Sequence, residues 1–106
     1  LQTTQPANLL LICAGTFREF ALEDGYAAGR LIAELQNPTL SDAASLACWL
    51  AEQHAKRPLD CLRKSRNGRA LAGKGRDEEV RFCAQESCYN VVPTMQNGVI
   101  TATHSS

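Results

Sequence analysis

A short, continuous apolar run near the start of the chain constrains its fold more than any other feature. The run Leu9–Ala14 reads LLLICA, and Gly15 and Thr16 follow it directly. A continuous apolar run of this length is typical of a strand that is buried on both faces, and small residues after it allow close approach to the backbone. We therefore predict a strand over residues 9–14 with a candidate site at its carboxyl end.

A helix is predicted to follow this strand and the polar loop after it. Glu23 and Asp24 lie where the helix should begin, and negative side chains are favoured there by the helix dipole. Apolar or small residues recur every three positions over 26–35, and Pro38 cannot continue a helix. The pattern predicts a helix over residues 22–36 and a strand–loop–helix motif over residues 9–36.

The rest of the chain is predicted to be helical in its middle and to end in a β-hairpin. Ser41 and Asp42 provide a cap and first turn for a second helix, and Pro58 suits the first position of a third. Asn97-Gly98 favours the type I′ turn that joins antiparallel strands. The predicted segments are a helical region over 41–72 with a turn at Asn67-Gly68, a strand or short helical turn at 80–84, and hairpin strands at 91–95 and 99–102.

The charge balance and length exclude several classes of function. Eleven basic residues balance eleven acidic ones, so no global field would attract nucleic acid or an anionic membrane surface. The run at residues 9–14 is too short to span a bilayer, and residues 1–7 lack the features of a signal peptide. The 106 residues fit one domain with a flexible lead-in over 1–8, and we expect neither a nucleic-acid nor a membrane partner.

The cysteines are more consistent with reduced thiols than with a disulfide scaffold. Their number, five, is odd, and Cys13 and Cys48 lie inside apolar segments, which favours a cytoplasmic location. Cys83 and Cys88 are the only close pair, and no second Cys or His pair completes a zinc site, so a zinc-stapled or redox module is the weakest alternative. His54 lies at a helix end and is predicted to be solvated or to cap carbonyls rather than to be catalytic.

Seven short motifs occur in a fixed order along the chain: Cys13–Thr16, Phe20–Asp24, Ala28-Gly29, Ser65–Leu71, Asp77–Glu79, Phe82–Gln85 and Val92-Pro93. As an ordered set they resemble the carboxyl-terminal half of the 2-phosphosulfolactate phosphatase (ComB) family. The likeness runs from about Leu10 to Gly98 and leaves the family's amino-terminal half without a counterpart. The resemblance implies an α/β fold in layers, with helices packed on a small mixed sheet, as half of a larger α/β/α fold.

The resemblance also implies a reaction: Mg²⁺-dependent hydrolysis of the phosphate ester of 2-phosphosulfolactate, on the route to coenzyme M. Mg²⁺ prefers hard oxygen ligands, and Glu23 and Asp24 are the candidate ligands and catalytic carboxylates. Arg18 is a candidate for binding the anionic substrate, and the backbone N–H groups of Gly15 and Thr16 are candidate donors to it. The expected ligands are therefore Mg²⁺ and a small anionic phosphate ester.

Cys13 is a candidate nucleophile, because a thiolate followed by a phosphate-binding arginine is the arrangement of cysteine-dependent phosphatases. The spacing in those enzymes would place the arginine where Glu19 stands, so a buried structural thiol is the alternative for Cys13. Glu23 and Asp24 have an alternative to a site role, which is to stabilise the start of the helix through its dipole. Arg18 has one as well, as a solvated loop residue that pairs with Glu19.

A second function from another class remains open. Compared with the family motif, Arg18-Glu19 stand in place of Gly-Arg and Ala21 in place of Ser, and Ser87 stands where the family tends to carry Asp. These departures and the unmatched half favour a half-length, non-catalytic relative that acts as an oligomerising or anion-binding module. That alternative predicts a homo-oligomer, because half of a fold would leave apolar surface or a sheet edge to cover.

Overall fold

A computed structural model describes residues 6–103 of the chain, and it confirms the predicted α/β class. Five helices precede a two-stranded antiparallel sheet in these residues. The sheet register pairs Val92 with Thr103 and Gln96 with Val99. The elements are α1 (Leu22–Ile32), α2 (Asp42–His54), α3 (Pro58–Lys64), α4 (Arg66–Gly73), α5 (Asp77–Cys83), β1 (Val92–Gln96) and β2 (Val99–Thr103).

The core lies where α1 crosses α2 and α3. Tyr26, Ala51 and Cys61 are buried together there, and Cys61 is fully excluded from solvent. Gly29 sets the distance between α1 and α2, because a Cβ on it would lie 2.1 Å from the carbonyl oxygen of Ala47. Only a residue without a side chain lets the two backbones meet this closely.

Local signals predicted several helix and turn positions correctly. Ser41 caps α2 by accepting a hydrogen bond from the N–H of Ala44, and Pro58 is the first residue of α3. His54 Nδ1 lies 3.0 Å from the carbonyl oxygen of Leu50, so its predicted carbonyl contact is confirmed. The predicted hairpin is also confirmed, with Asn97-Gly98 at its turn.

The predicted strand over residues 9–14 is wrong for this structure, since the segment forms no strand. No described strand lies beside it, and a strand exists only as a partner in a hydrogen-bonded pair. Leu10 and Ile12 are 79% and 84% exposed, and Cys13 is also exposed instead of forming a buried structural thiol.

Three other predicted elements are corrected. The helix expected over residues 22–36 ends at Ile32, before a turn in which Asn37 has a φ of 47°. The segment 80–84 lies mostly in α5, so the helical alternative holds and the strand does not. Asn67-Gly68 is not a turn but lies in the first turn of α4, because Ser65 Oγ accepts a hydrogen bond from Gly68 N–H and caps the helix.

Side-chain pairs connect elements that are distant in sequence. The Tyr26 hydroxyl donates a 2.5 Å hydrogen bond to Glu86, and Arg30 forms an ion pair with the same carboxylate. Arg63 on α3 pairs with Asp77 on α5 at 2.9 Å. The hydrogen bond from Arg63 to Asp77 lowers the pKa of that carboxyl group. No helix within residues 6–103 has the length and apolar character needed to cross a membrane.

Candidate functional site

A tight turn precedes α1 and presents the predicted site residues. The N–H of Thr16 donates to the carbonyl of Glu19 at 3.0 Å, and the N–H of Glu19 donates back to Thr16 at 2.9 Å. Phe17 and Arg18 at the tip have φ values of 51° and 64°, as the central residues of a type I′ turn do. The turn therefore has a defined shape before any ligand is bound.

Asp24 fixes this turn to the start of α1. Its Oδ2 accepts a 2.7 Å hydrogen bond from the N–H of Gly15, and its carbonyl oxygen lies 3.6 Å from the Sγ of Cys13. The N–H of Gly15 thus points to Asp24, and that of Thr16 points to Glu19. Neither N–H group is free to donate to a substrate in this arrangement, whereas the Thr16 hydroxyl lines the pocket described below.

The side chain of Glu23 points away from the Asp24–Gly15 hydrogen bond and towards α4. Its Oε1 accepts a hydrogen bond from the side-chain amide of Asn67. The same amide nitrogen donates to Thr16 Oγ1 at 2.8 Å, so a single residue of α4 connects the turn to α1. The other carboxylate oxygen, Oε2 of Glu23, is buried and has no hydrogen-bond partner among the described residues.

These side chains border a pocket of about 150 Å³ between the turn, α1 and the start of α4. Lys64 lines it and forms no ion pair with any residue of 6–103. Arg66 also lines it, pairs with Glu19 at 2.6 Å and lies over the ring of Phe17. The lining residues are Thr16, Phe20, Ala21, Leu22, Glu23, Lys64, Ser65, Arg66 and Asn67.

The structure groups some of the predicted site residues and separates others. Thr16 and Glu23 share the pocket, whereas Asp24 supports the turn behind it. Cys13 and Arg18 are exposed and do not line the pocket. The alternative pairing of Arg18 with Glu19 is wrong, because Arg66 forms that ion pair instead.

Sequence reasoning missed the contribution of α4. The Asn67-Gly68 pair has the local pattern of a turn, Lys64 has no local signal of function, and both are distant from residues 9–24 in the sequence. The one available signal was that Ser65–Leu71 belongs to the set of motifs that carries the family resemblance. Folding brings this segment to the turn through the Asn67 hydrogen bonds.

The residues present fit a magnesium ion that keeps much of its water. Oε2 of Glu23 is a buried carboxylate oxygen without a partner, and the Thr16 hydroxyl is a second hard oxygen at the same pocket. No group of three or more His, Cys, Asp or Glu side chains converges within residues 6–103, so a zinc site on Cys83 and Cys88 lacks further ligands there.

Comparison with known proteins gives a consistent family match. A family model described as 2-phosphosulpholactate phosphatase matches residues 1–98. A probable 2-phosphosulfolactate phosphatase of Thermotoga petrophila is 34% identical over 92 residues, which cover 87% of this chain and 40% of that protein. Its counterpart in Thermotoga maritima is 32% identical with the same coverage. The counterpart in Parasynechococcus marenigrum is 35% identical over 92% of this chain and 43% of that protein.

The match therefore confirms the resemblance predicted from the sequence. It covers most of this chain but less than half of each relative. This chain spans about 40% of the length of the curated relatives named above. No solved structure matches the chain.

Proposed function

Because this chain belongs to the 2-phosphosulpholactate phosphatase family, we propose that it forms part of a Mg²⁺-dependent phosphatase acting on 2-phosphosulfolactate. The relatives' names support a phosphoric monoester hydrolase. In the proposed reaction, water adds to phosphorus and the ester P–O bond breaks, which releases phosphate and sulfolactate. Sulfolactate production would place the protein on the route to coenzyme M.

The observation that carries this proposal is the unpartnered carboxylate oxygen of Glu23. A buried carboxylate oxygen without a hydrogen bond is costly, because it has lost water and gained no partner. A cation beside this atom would remove the cost. Asn67 holds the other oxygen of Glu23, so the free oxygen is fixed in direction.

Glu23 and Thr16 are the residues that would hold Mg²⁺, and Asp24 would support them through the turn. When bound, the ion would neutralise charge on the phosphate oxygens. Adjacent residues of a helix point about 100° apart, so Glu23 and Asp24 would not both be expected to bind the metal directly.

Two cations at the α3–α4 junction would favour an anionic substrate in different ways, Lys64 by binding it and Arg66 by neutralising a nearby carboxylate. Lys64 has no ion-pair partner in the described part of the chain and lines the same pocket as Glu23. Arg66 neutralises Glu19, which would otherwise repel phosphate at the edge of the pocket. Arg18 is exposed on the turn and stays a candidate for the sulfonate or phosphate only if substrate binding reaches the turn tip.

The test is phosphate release from 2-phosphosulfolactate by the 106-residue protein, with and without Mg²⁺. We expect metal-dependent release that Glu23→Gln reduces by about a hundredfold or more, because loss of a metal-holding carboxylate removes several kcal/mol of stabilisation. Glu52→Gln, at an exposed position of α2, is the matched control and should leave the rate unchanged. Metal-dependent turnover that is equal in Glu23→Gln and wild type would contradict this assignment.

A non-catalytic module is the second candidate function. It is favoured by the exposed apolar residues of the 9–14 segment and by the partial match to the relatives. A folded protein that binds inorganic phosphate in calorimetry, yet releases none from the ester at any Mg²⁺ concentration, would support this candidate over the phosphatase. Loss of phosphate binding in Lys64→Met would locate it at the pocket.

A further inference from the structure

A second cavity, of about 320 Å³, lies between the start of α3 and the end of α5. It shares no lining residue with the pocket beside Glu23. Its volume is at the lower end of the range of small-molecule sites, which is roughly 300–1,000 Å³. The cavity is therefore separate from the candidate site and has room for a small ligand.

Three arginines from different parts of the chain line this cavity. Arg57 directly precedes α3, Arg63 lies in α3, and Arg81 lies in α5. Asp60, which also lines the cavity, pairs with Arg57 at 3.1 Å. Asp77 pairs with both of the other arginines. Three positive charges thus have two carboxylates as partners, which leaves an excess of positive charge at the cavity.

Asp77 holds two of these guanidinium groups next to each other. Its Oδ2 lies 2.9 Å from Nη2 of Arg63 and 3.3 Å from Nε of Arg81. Arg63 also donates from Nε to Oδ1 of Asp77, so two hydrogen bonds fix its orientation. The two like charges repel each other across a single carboxylate, and an anion in the cavity would reduce this repulsion.

Arg57 and Arg81 are not needed to join the helices. Each pairs with a residue only three or four positions away in the sequence, whereas the Arg63–Asp77 pair connects α3 to α5. Exposed ion pairs at this spacing contribute little to stability. Both side chains are exposed and contact their carboxylates through Nε.

Unused hydrogen-bond donors remain at the cavity. No hydrogen bond within residues 6–103 involves the terminal nitrogens of Arg57 or Arg81. A guanidinium group has five N–H donors in a planar fork that matches the oxygens of a carboxylate or phosphate group. Gln85 lines the same cavity and has a side-chain amide that can also donate.

We propose that this cavity binds a small oxyanion, a compound with a carboxylate or phosphate group, at a site distinct from the candidate active site. The excess positive charge and the unused donors favour an anion over a neutral ligand. The rest of the lining in the described chain is Pro58, Leu59 and Ala84, which offer no aromatic ring to stack on a nucleobase. The ligand is therefore a small acid and not a nucleotide.

The test is an amide NMR titration of the 106-residue protein with inorganic phosphate and, separately, with citrate, without Mg²⁺ and at constant ionic strength. We expect saturable shifts of the amide signals of residues 57–60 and 81–85 with at least one of the two anions. Sodium chloride at the same ionic strength should not reproduce them. Shifts at residues 16–23 and 64–67 report on the pocket beside Glu23, so the result is independent of the proposed phosphatase function.

Matched arginine substitutions locate the site. Arg81→Gln should raise the Kd of the bound anion about tenfold, because it removes charge-assisted hydrogen bonds. Arg76→Gln removes an exposed arginine that is also ion-paired but does not line the cavity, and it should leave the Kd unchanged. Far-UV circular dichroism should show wild-type helix content in both variants, since both side chains are exposed.

A second substitution has an effect of opposite sign. Asp60→Asn removes a carboxylate that competes with the anion for Arg57, so it should lower the Kd by about threefold. Asp42→Asn, in the first turn of α2, is the control and should not change the Kd. If the ion pairs at the cavity were only structural, Asp60→Asn would not increase binding.

The proposal is wrong if neither anion gives saturable shifts at residues 57–60 and 81–85. It is also wrong if Arg81→Gln binds as tightly as the wild type, or if Asp60→Asn weakens binding. Saturable shifts that are confined to residues 16–23 and 64–67 would place the anion in the pocket beside Glu23 and would equally exclude this second site.

Discussion

The side-chain amide of Asn67 donates hydrogen bonds to both Glu23 and Thr16, although these residues are distant from it in sequence. The amide joins the first turn of α4 to the turn before α1 and orients the carboxylate whose second oxygen is unpartnered. The candidate site is thus held in shape by a residue that would not need to touch a substrate.

Asn67→Ala should lower the free energy of unfolding by about 1–3 kcal/mol, because Glu23 would keep a buried acceptor without a donor. Urea denaturation followed by circular dichroism measures this loss. Gln53→Ala removes an exposed amide from α2 and should change the free energy by less than about 0.5 kcal/mol. Equal effects of the two substitutions would mean that the Asn67 contacts add no stability.

Gly29→Ala should destabilise the protein by about 1–3 kcal/mol, although alanine is the better helix former. The added Cβ would lie 2.1 Å from the carbonyl oxygen of Ala47, so α1 and α2 would have to separate. Gly73→Ala is the control, because a Cβ there meets nothing within 4 Å and should be neutral or slightly stabilising. In thermal unfolding, the midpoint should fall for Gly29→Ala and should stay the same or rise slightly for Gly73→Ala.

Ser65→Ala should cost more stability than Ser41→Ala, although both serines cap helices. Ser65 is 3% exposed, accepts from Gly68 N–H and donates to the carbonyl of Leu62 at 2.6 Å. Ser41 is exposed and caps α2 by one hydrogen bond. We expect losses of about 2 kcal/mol and about 0.5–1 kcal/mol respectively in urea unfolding. The reverse order would show that burial of the Ser65 cap does not strengthen it.

Stability should fall between pH 10 and pH 12 in a way that depends on Tyr26. Burial, with the hydrogen bond to Glu86, raises the pKa of Tyr26 from 10.0 to about 12. In that window the unfolded state releases a proton that the folded state retains, so the free energy of unfolding decreases as pH rises. Below pH 10 the stabilisation is fully present.

Tyr26→Phe should remove this contribution, so the wild-type curve should approach that of the variant as pH rises. Urea unfolding at several pH values between 9 and 12 measures the difference in free energy of unfolding between wild type and Tyr26→Phe. The lysines and cysteines are common to both proteins, so their titration cancels in this difference. Tyr89→Phe, at an exposed tyrosine, should retain the wild-type dependence. A constant difference between wild type and Tyr26→Phe across this range would contradict the assignment.

The same contact predicts weaker stability in acid. The hydrogen bond from Tyr26, together with Arg30, lowers the pKa of Glu86 below 4.5. A lowered carboxyl pKa contributes stability above the unfolded-state value, and that stability is lost as pH falls through the folded-state value. Glu86→Gln should therefore reduce the acid dependence below about pH 4.5, measured by the same unfolding experiments.

The sequence by itself determined the features that depend on neighbouring residues. The Ser41 cap, the Pro58 start of α3 and the Asn97-Gly98 hairpin turn each depend on contacts or backbone preferences within a few residues. The ordered motifs also identified the family, because their arrangement along the chain is itself sequence information.

Only the tertiary structure decided how the candidate site is assembled. Asn67 reaches Glu23, and Lys64 reaches the same pocket, because α3 and α4 pack near the start of α1. No local pattern specifies that approach. For Leu9–Ala14, the apolar pattern expresses a preference for burial, but a strand forms only when a second strand lies beside it.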